Sequence, residues 1–222
     1  MIGIDHTRAG IDVRTVFSFT KKKMAEALAV LQKVPGIEGC VLISTCNRME
    51  LWASTDDGFP EEGLYEQLCK IKEADTSMYR PYFVFRKERE AVQHLFWLAG
   101  GLKSRILGED QIVTQVGEAL SFAREQYATD SVMETLFRMA VTAAKKVKTE
   151  VELSHTDNSV VRTAIDTLKE QGQTFAGKKC MVIGNGVMGK LTATMLLAEG
   201  ADVTVTVRQY RSGIVEIPLG CK

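Results

Sequence analysis

One cysteine in the sequence stands among polar and cationic neighbours. Cys46 lies in the run Ser44-Thr45-Cys46-Asn47-Arg48, flanked by hydroxyls, an amide and a guanidinium rather than by apolar side chains. A cation two residues away lowers the pKa of a thiol and raises the fraction of thiolate, the nucleophilic form. From the residues alone, two interpretations stay open: a nucleophile, or a structural thiol.

The other four cysteines lack such a setting. Cys40 and Cys180 lie in apolar runs typical of buried strands, Cys69 lies in an amphipathic helical pattern, and Cys221 lies at a chain end. Five cysteines are an odd count and no CxxC pair occurs, so the sequence supports neither a disulfide framework nor a zinc ribbon. We therefore predict no metal site.

Two further polar features could contribute to a site. His94 precedes Leu95-Phe96 on a predicted helix, where it is either a core histidine or a functional one. The stretch Gly100–Gln111 (GGLKSRILGEDQ) is a glycine-bounded turn that enters a helix. An acid such as Glu109 near a helix start complements the helix dipole, although the same polar groups could form a substrate clamp. Spacing does not decide between these alternatives.

A glycine motif in the last quarter of the chain indicates a nucleotide site. Gly184–Gly189 (GNGVMG) follows an apolar strand and opens a helix, which is the context of a dinucleotide-binding motif. Gly184 would permit the tight turn, Gly186 the approach of a pyrophosphate, and Gly189 the close packing of the helix. A glycine-rich turn without a ligand is the alternative.

The residue after the next predicted strand selects the cofactor. An NAD site usually has a carboxylate there for the ribose 2′-hydroxyl, whereas this chain has Arg208, with Arg211 close behind. A guanidinium favours a 2′-phosphate, so we predict NADP(H), with a solvated surface arginine as the alternative. Only the first βαβ unit is present in the sequence. Either the half that orients the nicotinamide belongs to a longer protein, or hydride chemistry is absent here. If the chain ends at Lys222, we expect the edge of the strand at 203–207 to be unpaired.

Periodicity and turn residues predict the elements that position these groups. In chain order they are a strand at 1–5, a helix at 21–34, strands at 39–43 and 49–53, a helix at 60–74, a strand at 82–85, helices at 88–98, 108–127, 131–153 and 158–172, a strand at 179–183, a helix at 187–199 and a strand at 202–207. The first six elements follow the order βαββαβ, which is typical of a ferredoxin-like fold. We predict an α/β protein: a ferredoxin-like catalytic domain with added helices at 1–155, then a linker helix and an incomplete Rossmann domain at 156–222.

Composition narrows the class of protein. The 28 basic and 28 acidic residues cancel, so contact with a polyanion would require a local patch. The first residues, Met1–His6, do not form a signal peptide, and no apolar run approaches the roughly 20 residues that span a bilayer. We expect a cytoplasmic protein without membrane contact.

These motifs resemble those of the glutamyl-tRNA reductase family over essentially the whole chain. The similar segments are Ser44–Arg48 with Glu50, His94–Phe96, the pattern from Gly101 to Gln115, the element His6-x-x-Ala9-x-x-x-x-Arg14, and Lys148-Thr149-Glu150. Departures from the family pattern are Gly10, Met49 and Gln209-Tyr210, none of which touches the thiol motif.

The resemblance implies a reaction and a role for each residue. Cys46 would attack the ester that joins glutamate to tRNA, and hydride from NADPH would reduce the resulting thioester to glutamate-1-semialdehyde for tetrapyrrole synthesis. His94 would act as a base or as a positioning group. The substrate pocket would be lined by polar residues: Thr45, Asn47, Arg48, Ser104, Glu109, Asp110, Gln111 and Gln115. NADPH would be held by Gly184, Asn185, Gly186, Val187, Met188, Gly189 and Arg208.

The resemblance also implies partners. They are glutamyl-tRNA(Glu) as substrate and glutamate-1-semialdehyde aminomutase as a candidate protein partner, while the family's homodimer depends on a domain that this sequence lacks. Two alternatives to the reductase stay open. One is a thiol-dependent glutamyl-tRNA hydrolase, and the other is a non-catalytic module that binds NADP or tRNA.

Overall fold

The computed structural model describes residues 1–104, 107–109, 111–151, 160–207 and 217–222. The chain divides into two compact units, Met1–Leu153 and Ser154–Lys222. Both units combine helices with β-strands, which confirms the predicted mixture of helix and sheet.

The first unit is built on a four-stranded sheet. Its strands are β1 (Ile2–Asp5), β2 (Ile37–Ser44), β3 (Arg48–Thr55) and β4 (Val84–Phe85), in the spatial order β2-β3-β1-β4. All neighbouring strands are antiparallel, so β1 and β2 run in the same direction with β3 between them. The continuous apolar run at the centre of β2 is buried, as its composition predicts.

Helices surround this sheet, and two of them were not expected. The helices of the first unit are α1 (Ile11–Phe17), α2 (Lys21–Leu31), α3 (Gly63–Lys72), α4 (Thr76–Tyr79), α5 (Glu88–Ala99), α6 (Gln111–Glu125) and α7 (Ser131–Glu150). The side chain of Thr20 caps α2 by accepting from the Lys23 N–H, as predicted. The short helices α1 and α4 span too few turns to show a clear apolar period in the sequence.

The predicted strand at 82–85 is shorter in the structure. Arg80–Tyr82 forms a 3₁₀ turn, and only Val84 and Phe85 pair with β1. Pro81 explains the difference, because its fixed φ and missing N–H suit the first turn of a helix and not a ladder. The apolar side chains of this segment still reach the core, where Phe83 packs edge-on against Phe17.

A glycine inside α6 offers a simple test of the packing. A Cβ built on Gly117 would meet its nearest neighbour, a methyl of Val141, at 3.9 Å, which is ordinary contact. Glycine within a helix lowers stability relative to alanine because it loses more backbone freedom on folding. We expect Gly117→Ala to raise the free energy of unfolding by about 0.5–1 kcal/mol in urea denaturation. A destabilised variant would contradict the packing of α6 on α7.

The second unit contains two parallel strands and two helices. They are α8 (Val160–Glu170), β5 (Lys179–Ile183), α9 (Val187–Ala198) and β6 (Asp202–Thr206). Its separate core gathers side chains from all four elements. The edge of β6, expected to be unpaired, is partly covered. Lys222 donates its N–H to the Val203 carbonyl and accepts from the Val205 N–H, because exposed strand edges readily take further hydrogen bonds.

No helix within the described ranges combines the length and the apolar character needed to cross a bilayer.

Candidate active site

The thiol of Cys46 lies at the tip of the hairpin that joins β2 to β3. Thr45 holds this tip: its N–H donates to the Arg48 carbonyl at 2.8 Å, and its hydroxyl accepts from the N–H groups of Asn47 and Arg48, both at 3.2 Å. The N–H of His6 donates to the Asn47 carbonyl at 2.9 Å, which ties the end of β1 to the tip. These bonds present Cys46 to solvent on a fixed turn.

Cys46 is the one exposed thiol among the five cysteines, all of which lie in the described part of the chain. Burial, reinforced by Asp130, raises the pKa of Cys40 to about 12. Burial also raises the pKa of Cys69. Both thiols therefore stay protonated near neutral pH and are poor nucleophiles. Cys180 and Cys221 are half-buried in the second unit.

The predicted substrate residues meet in one cleft. The hairpin tip, the loop that follows α5 and the first turns of α6 contribute its lining: Thr45, Cys46, Asn47, Arg48, Ser104, Glu109, Gln111, Ile112 and Gln115. Asp110, the remaining predicted member, lies outside the described residues. Residues far apart in sequence thus place hydroxyls, amides and a carboxylate beside one thiol. Such a surface can orient a small polar acyl group.

Close contact between two glycines shapes the loop that carries Ser104 and Glu109. Gly101 adopts φ +81°, and a Cβ at this position would lie 2.8 Å from the Cα of Gly108. The Gly108 N–H donates to the Gly101 carbonyl at 3.1 Å, which closes the loop. Lys148 of α7 donates to the Glu109 carbonyl at 3.2 Å. The backbone conformation of Gly101 and its close contact with Gly108 explain why both positions are glycine.

A buried polar network lies behind the cleft. Arg48 and Glu50 are two residues apart on β3, so their side chains lie on the same face, and both are almost fully buried. Arg48 Nη1 donates to Glu50 Oε1 at 2.9 Å. His94 Nε2 lies 3.0 Å from the same oxygen, and Trp52 Nε1 donates to Glu50 Oε2 at 3.1 Å. The Trp52 ring stacks on the His94 ring. One carboxylate thus joins three side chains.

Glu50 is ionised in this network despite its depth. Burial would raise its pKa, but hydrogen bonds and charge from His94 and Arg48 outweigh that effect and hold the pKa below its ordinary range. The carboxylate in turn offsets the buried Arg48 charge, with Asp5 Oδ2 a further 4.0 Å from Arg48 Nη1. Arg48 Nη2 also donates to the Lys103 carbonyl. Arg48 therefore connects the cleft to the interior.

This geometry changes what is expected of two predicted residues. The guanidinium of Arg48 already has partners on both terminal nitrogens, so a substrate carboxylate would have to share it with Glu50. Among the described residues His94 does not line the cleft, and it contacts Glu50 instead. The Nδ1 atom of His94 is buried and finds no hydrogen-bond partner in the described part of the chain.

Two members of the network escaped the sequence reasoning. Glu50 entered only as a signature residue, and Trp52 was assigned only to a strand. The available signal was the alternation Arg48-x-Glu50-x-Trp52 within an apolar strand, which places all three side chains on one face. A charged pair at i and i+2 in a buried strand requires internal partners.

Gly3 leaves the room that the Glu50 side chain occupies. The two residues are directly paired across β1 and β3, and a Cβ on Gly3 would lie 2.9 Å from Glu50 Cγ. Because Glu50 is buried, it cannot swing away. We expect Gly3→Ala to lower the free energy of unfolding by about 1–3 kcal/mol in urea denaturation, as overpacking does. Gly10→Ala, where no atom lies within 4 Å of the added Cβ, is the matched control.

The glycine motif of the second unit forms the turn between β5 and α9. Gly184 adopts φ +102°, and its N–H donates to the Thr206 hydroxyl at 2.9 Å. A Cβ on Gly189 would lie 2.0 Å from the Gly184 carbonyl oxygen, so only glycine fits. Gly186 faces open space, and no side chain caps the helix that it begins. Arg208 and Arg211 lie outside the described residues.

The chain matches a family model and several relatives among known proteins. Residues 2–151 match the family model described as the N-terminal domain of glutamyl-tRNA(Glu) reductase. The chain is 46% identical to the glutamyl-tRNA reductase of Acetivibrio thermocellus and 42% identical to that of Alkaliphilus oremlandii, covering 100% and 99% of this chain. It is 39% identical, over 98% of its length, to a protein of Ruminiclostridium josui named a probable multifunctional siroheme biosynthesis protein.

The chain spans 66%, 65% and 42% of the lengths of these three relatives. A solved structure, the glutamyl-tRNA reductase of Methanopyrus kandleri, matches with a TM-score of 0.64 at 27% sequence identity. That match covers 96% of this chain and 50% of the archaeal chain.

Proposed function

The chain belongs to the glutamyl-tRNA reductase family, and we propose that it carries the thiol site of an NADPH-dependent reduction of glutamyl-tRNA(Glu) to glutamate-1-semialdehyde in tetrapyrrole synthesis. The observation that carries the proposal is the cleft. It sets the one exposed thiol of the chain beside polar side chains from a distant helix.

The first chemical step falls to Cys46. Its thiolate sulfur attacks the ester carbonyl carbon of the charged tRNA, and the bond from that carbon to the 3′ oxygen of the terminal ribose breaks. The proton lost from the thiol returns to this oxygen, so tRNA leaves with a free hydroxyl and glutamate remains as an enzyme thioester. The hairpin tip supports the step because Thr45 and Asn47 fix the turn on which the sulfur stands.

The cleft residues hold the acyl group. The side chains of Ser104, Gln111 and Gln115 supply hydrogen-bond donors and acceptors opposite the thiol, and Arg48 supplies the cation for a carboxylate. Glu50 and His94 act as positioning residues, because their contacts fix Arg48 from behind. Orientation of this kind lowers the barrier by restricting the bound acyl group to reactive geometries.

The second unit fits the adenosine half of NADPH. Gly186 leaves space for a pyrophosphate, and the uncapped first turn of α9 offers N–H groups and the positive end of the helix dipole. Asn185, Val187 and Met188 complete the turn between the glycines. NADPH, when bound, would supply the hydride that reduces the thioester to the aldehyde.

We expect Arg208→Ala to weaken NADPH binding and to leave NADH binding nearly unchanged. A charge-assisted bond to the 2′-phosphate contributes about 1.5–3 kcal/mol, so its loss should lower NADPH affinity by roughly 10- to 100-fold. Fluorescence titration of both cofactors against wild type and variant measures the effect. Equal losses for NADPH and NADH would show that Arg208 does not contact the phosphate.

The proposed function also implies a fold for each domain, a cellular location and protein partners. We assign a ferredoxin-like catalytic domain to 1–155, supported by the order β2-β3-β1-β4, and the first part of a Rossmann domain to 156–222, supported by the parallel pair β5-β6. We further propose a cytoplasmic location, a homodimer in longer family members, and glutamate-1-semialdehyde aminomutase as a partner.

Product analysis from charged tRNA tests the function. A protein that carries this sequence together with the half that orients the nicotinamide is mixed with tRNA bearing radiolabelled glutamate, with and without NADPH, and label is scored as protein-bound, as free glutamate and as semialdehyde. Acid-stable label on the protein supports the thioester, and semialdehyde formed only with NADPH supports the reductase. Free glutamate alone would favour the thiol-dependent hydrolase. Absence of both labelled protein and turnover would overturn the proposal in favour of a binding module.

A further inference from the structure

A second cavity adjoins the cleft, and we propose that it binds the terminal adenosine of the charged tRNA. This inference rests on the proposed function. The cavity, about 320 Å³, lies between the start of α2, the end of β2 and the α6 residues that face them. Thr45 and Gln115 line both the cavity and the thiol cleft. A substrate whose acyl group sits at Cys46 would therefore place the next part of its structure here.

Two backbone groups at the free edge of β2 belong to residues that line this cavity and have no partner among the described residues. The Cys40 N–H donates to the Ala128 carbonyl, away from β3, whereas the Thr45 N–H donates to the Arg48 carbonyl on β3. Because backbone direction alternates along a strand, the Leu42 carbonyl and the Ser44 N–H also point away from β3. Neither group has a hydrogen-bond partner within the described part of the chain.

The Leu42 carbonyl and the Ser44 N–H are available to bind a ligand. Leu42 is only 1% exposed and lines the cavity, and Ser44 is half-buried there. Buried backbone groups are nearly always paired, because an unpaired one loses its bonds to water without replacement. The carbonyl of one residue and the N–H two residues later form an acceptor and a donor side by side.

Adenine presents the complementary pair. Its N6 amino group donates and its N1 accepts, so the base can bond to the Leu42 carbonyl and the Ser44 N–H through its Watson–Crick edge. The half-buried rings of Phe19 and Phe122 line the same cavity. Lys72 Nζ lies over one face of the Phe19 ring, 4.1 Å from its centroid, so Phe122 offers the main stacking surface for a base. Every tRNA ends in adenosine, which makes this base the one adjacent to the ester.

The charges around the cavity suit a nucleoside with its phosphate toward solvent. Lys21 lines the cavity and is exposed, as are Lys22 and Lys23 beside it at the start of α2. These cations can contact the phosphate backbone of RNA. Glu118 and Glu125 also line the cavity, where carboxylates accept hydrogen bonds from ribose hydroxyls and disfavour a deeply bound phosphate.

An extended peptide could pair with the same strand edge, but it would need neither the stacking rings nor the junction with the thiol cleft. The first test separates the two ligands with short RNAs. The chain is titrated with CpCpA and with CpCpI in saturating NADP⁺, which fills the dinucleotide motif of the second unit. Inosine reverses the donor and acceptor at positions 1 and 6, so CpCpA should bind about 10-fold more tightly.

Hydrogen exchange at the Ser44 amide assigns the site. CpCpA should slow exchange of this amide and CpCpI should not. Equal binding of the two RNAs would overturn the proposal. Protection that rises with protein concentration instead, without added RNA, would show that the edge pairs with a second copy of the chain and would equally overturn it.

The second test changes the stacking ring. We expect Phe122→Leu to raise the KM of Cys46 acylation by charged tRNA about 10-fold with an unchanged maximal rate. Acylation by a small glutamate thioester without a nucleoside should be unaffected. Phe59→Leu, at a half-buried phenylalanine outside the cavity, is the matched control.

The two substrates distinguish the possible failures. If Phe122→Leu slows acylation equally with charged tRNA and with the small thioester, the ring has a structural role and the adenosine site is overturned. If wild type accepts neither substrate, the proposed function fails, while the CpCpA titration still decides on the adenosine site.

Discussion

Cys46→Ser should abolish the glutamyl-enzyme, lowering the rate of protein labelling from charged tRNA by at least about 1,000-fold while the fold is kept. The oxygen of serine is a far weaker nucleophile near neutral pH, and the described cleft offers it no imidazole partner, because His94 is bonded to Glu50 behind the cleft. Since Cys46 is exposed, the change leaves no cavity and circular dichroism should be unaltered.

Cys40→Ser and Cys180→Ser complete this experiment. Cys180→Ser alters a half-buried thiol in the second unit and should label at the wild-type rate. Cys40→Ser puts a hydroxyl into the apolar interior of β2 and should lower stability, yet the folded fraction should still label. Labelling that persists in Cys46→Ser, or disappears in Cys180→Ser, would assign the nucleophile to a different residue.

Replacing Glu50 should have the largest effect on stability. Glu50→Gln keeps the shape of the side chain but leaves the buried Arg48 charge without its main counter-ion. Breaking one partner of a buried ion pair typically lowers stability by about 3–5 kcal/mol. We therefore expect a loss of that size in urea denaturation of the first unit, together with slower acylation because Arg48 is no longer held in place.

Glu62→Gln is the matched control, since Glu62 pairs with Arg80 at the surface and such pairs contribute at most about 1 kcal/mol. The double variant Arg48→Met with Glu50→Leu removes both charges and should recover part of the lost stability while staying inactive. The recovery is incomplete because Trp52 Nε1 and His94 Nε2 lose their acceptor. If Glu50→Gln is as stable as wild type, the buried network does not exist as described.

The effect should depend on pH in a defined direction. The pKa of Glu50 is lower in the native state than its ordinary value of about 4.3, so the native state favours the ionised form. Its contribution is complete above that ordinary value and disappears as pH falls through the native pKa. The stability gap between wild type and Glu50→Gln should thus narrow as the pH falls below about 4. A gap that widens below pH 4 would show that Glu50 is protonated at neutral pH.

Local sequence determined much of the architecture. The apolar run of β2, the cap at Thr20 and the glycines of the turn between β5 and α9 each act within a few residues, so the sequence predicts them directly. The setting of Cys46 was also local, because the polar tip of a hairpin excludes it from the core. The sequence did not predict the short helix α1, and it placed the beginning of the strand at 82–85 too early. Both elements contain too few residues for a clear periodic pattern.

Only the tertiary structure decided which partners these residues have. Arg48 is two residues from Cys46 in sequence, yet its guanidinium points inward from β3. There it donates hydrogen bonds to Glu50 and to the Lys103 carbonyl. His94 reaches the site only through Glu50, 44 residues away in the chain. The cleft and the cavity beside it exist because α6 packs beside β2, and contacts between residues so far apart leave no periodicity in the sequence.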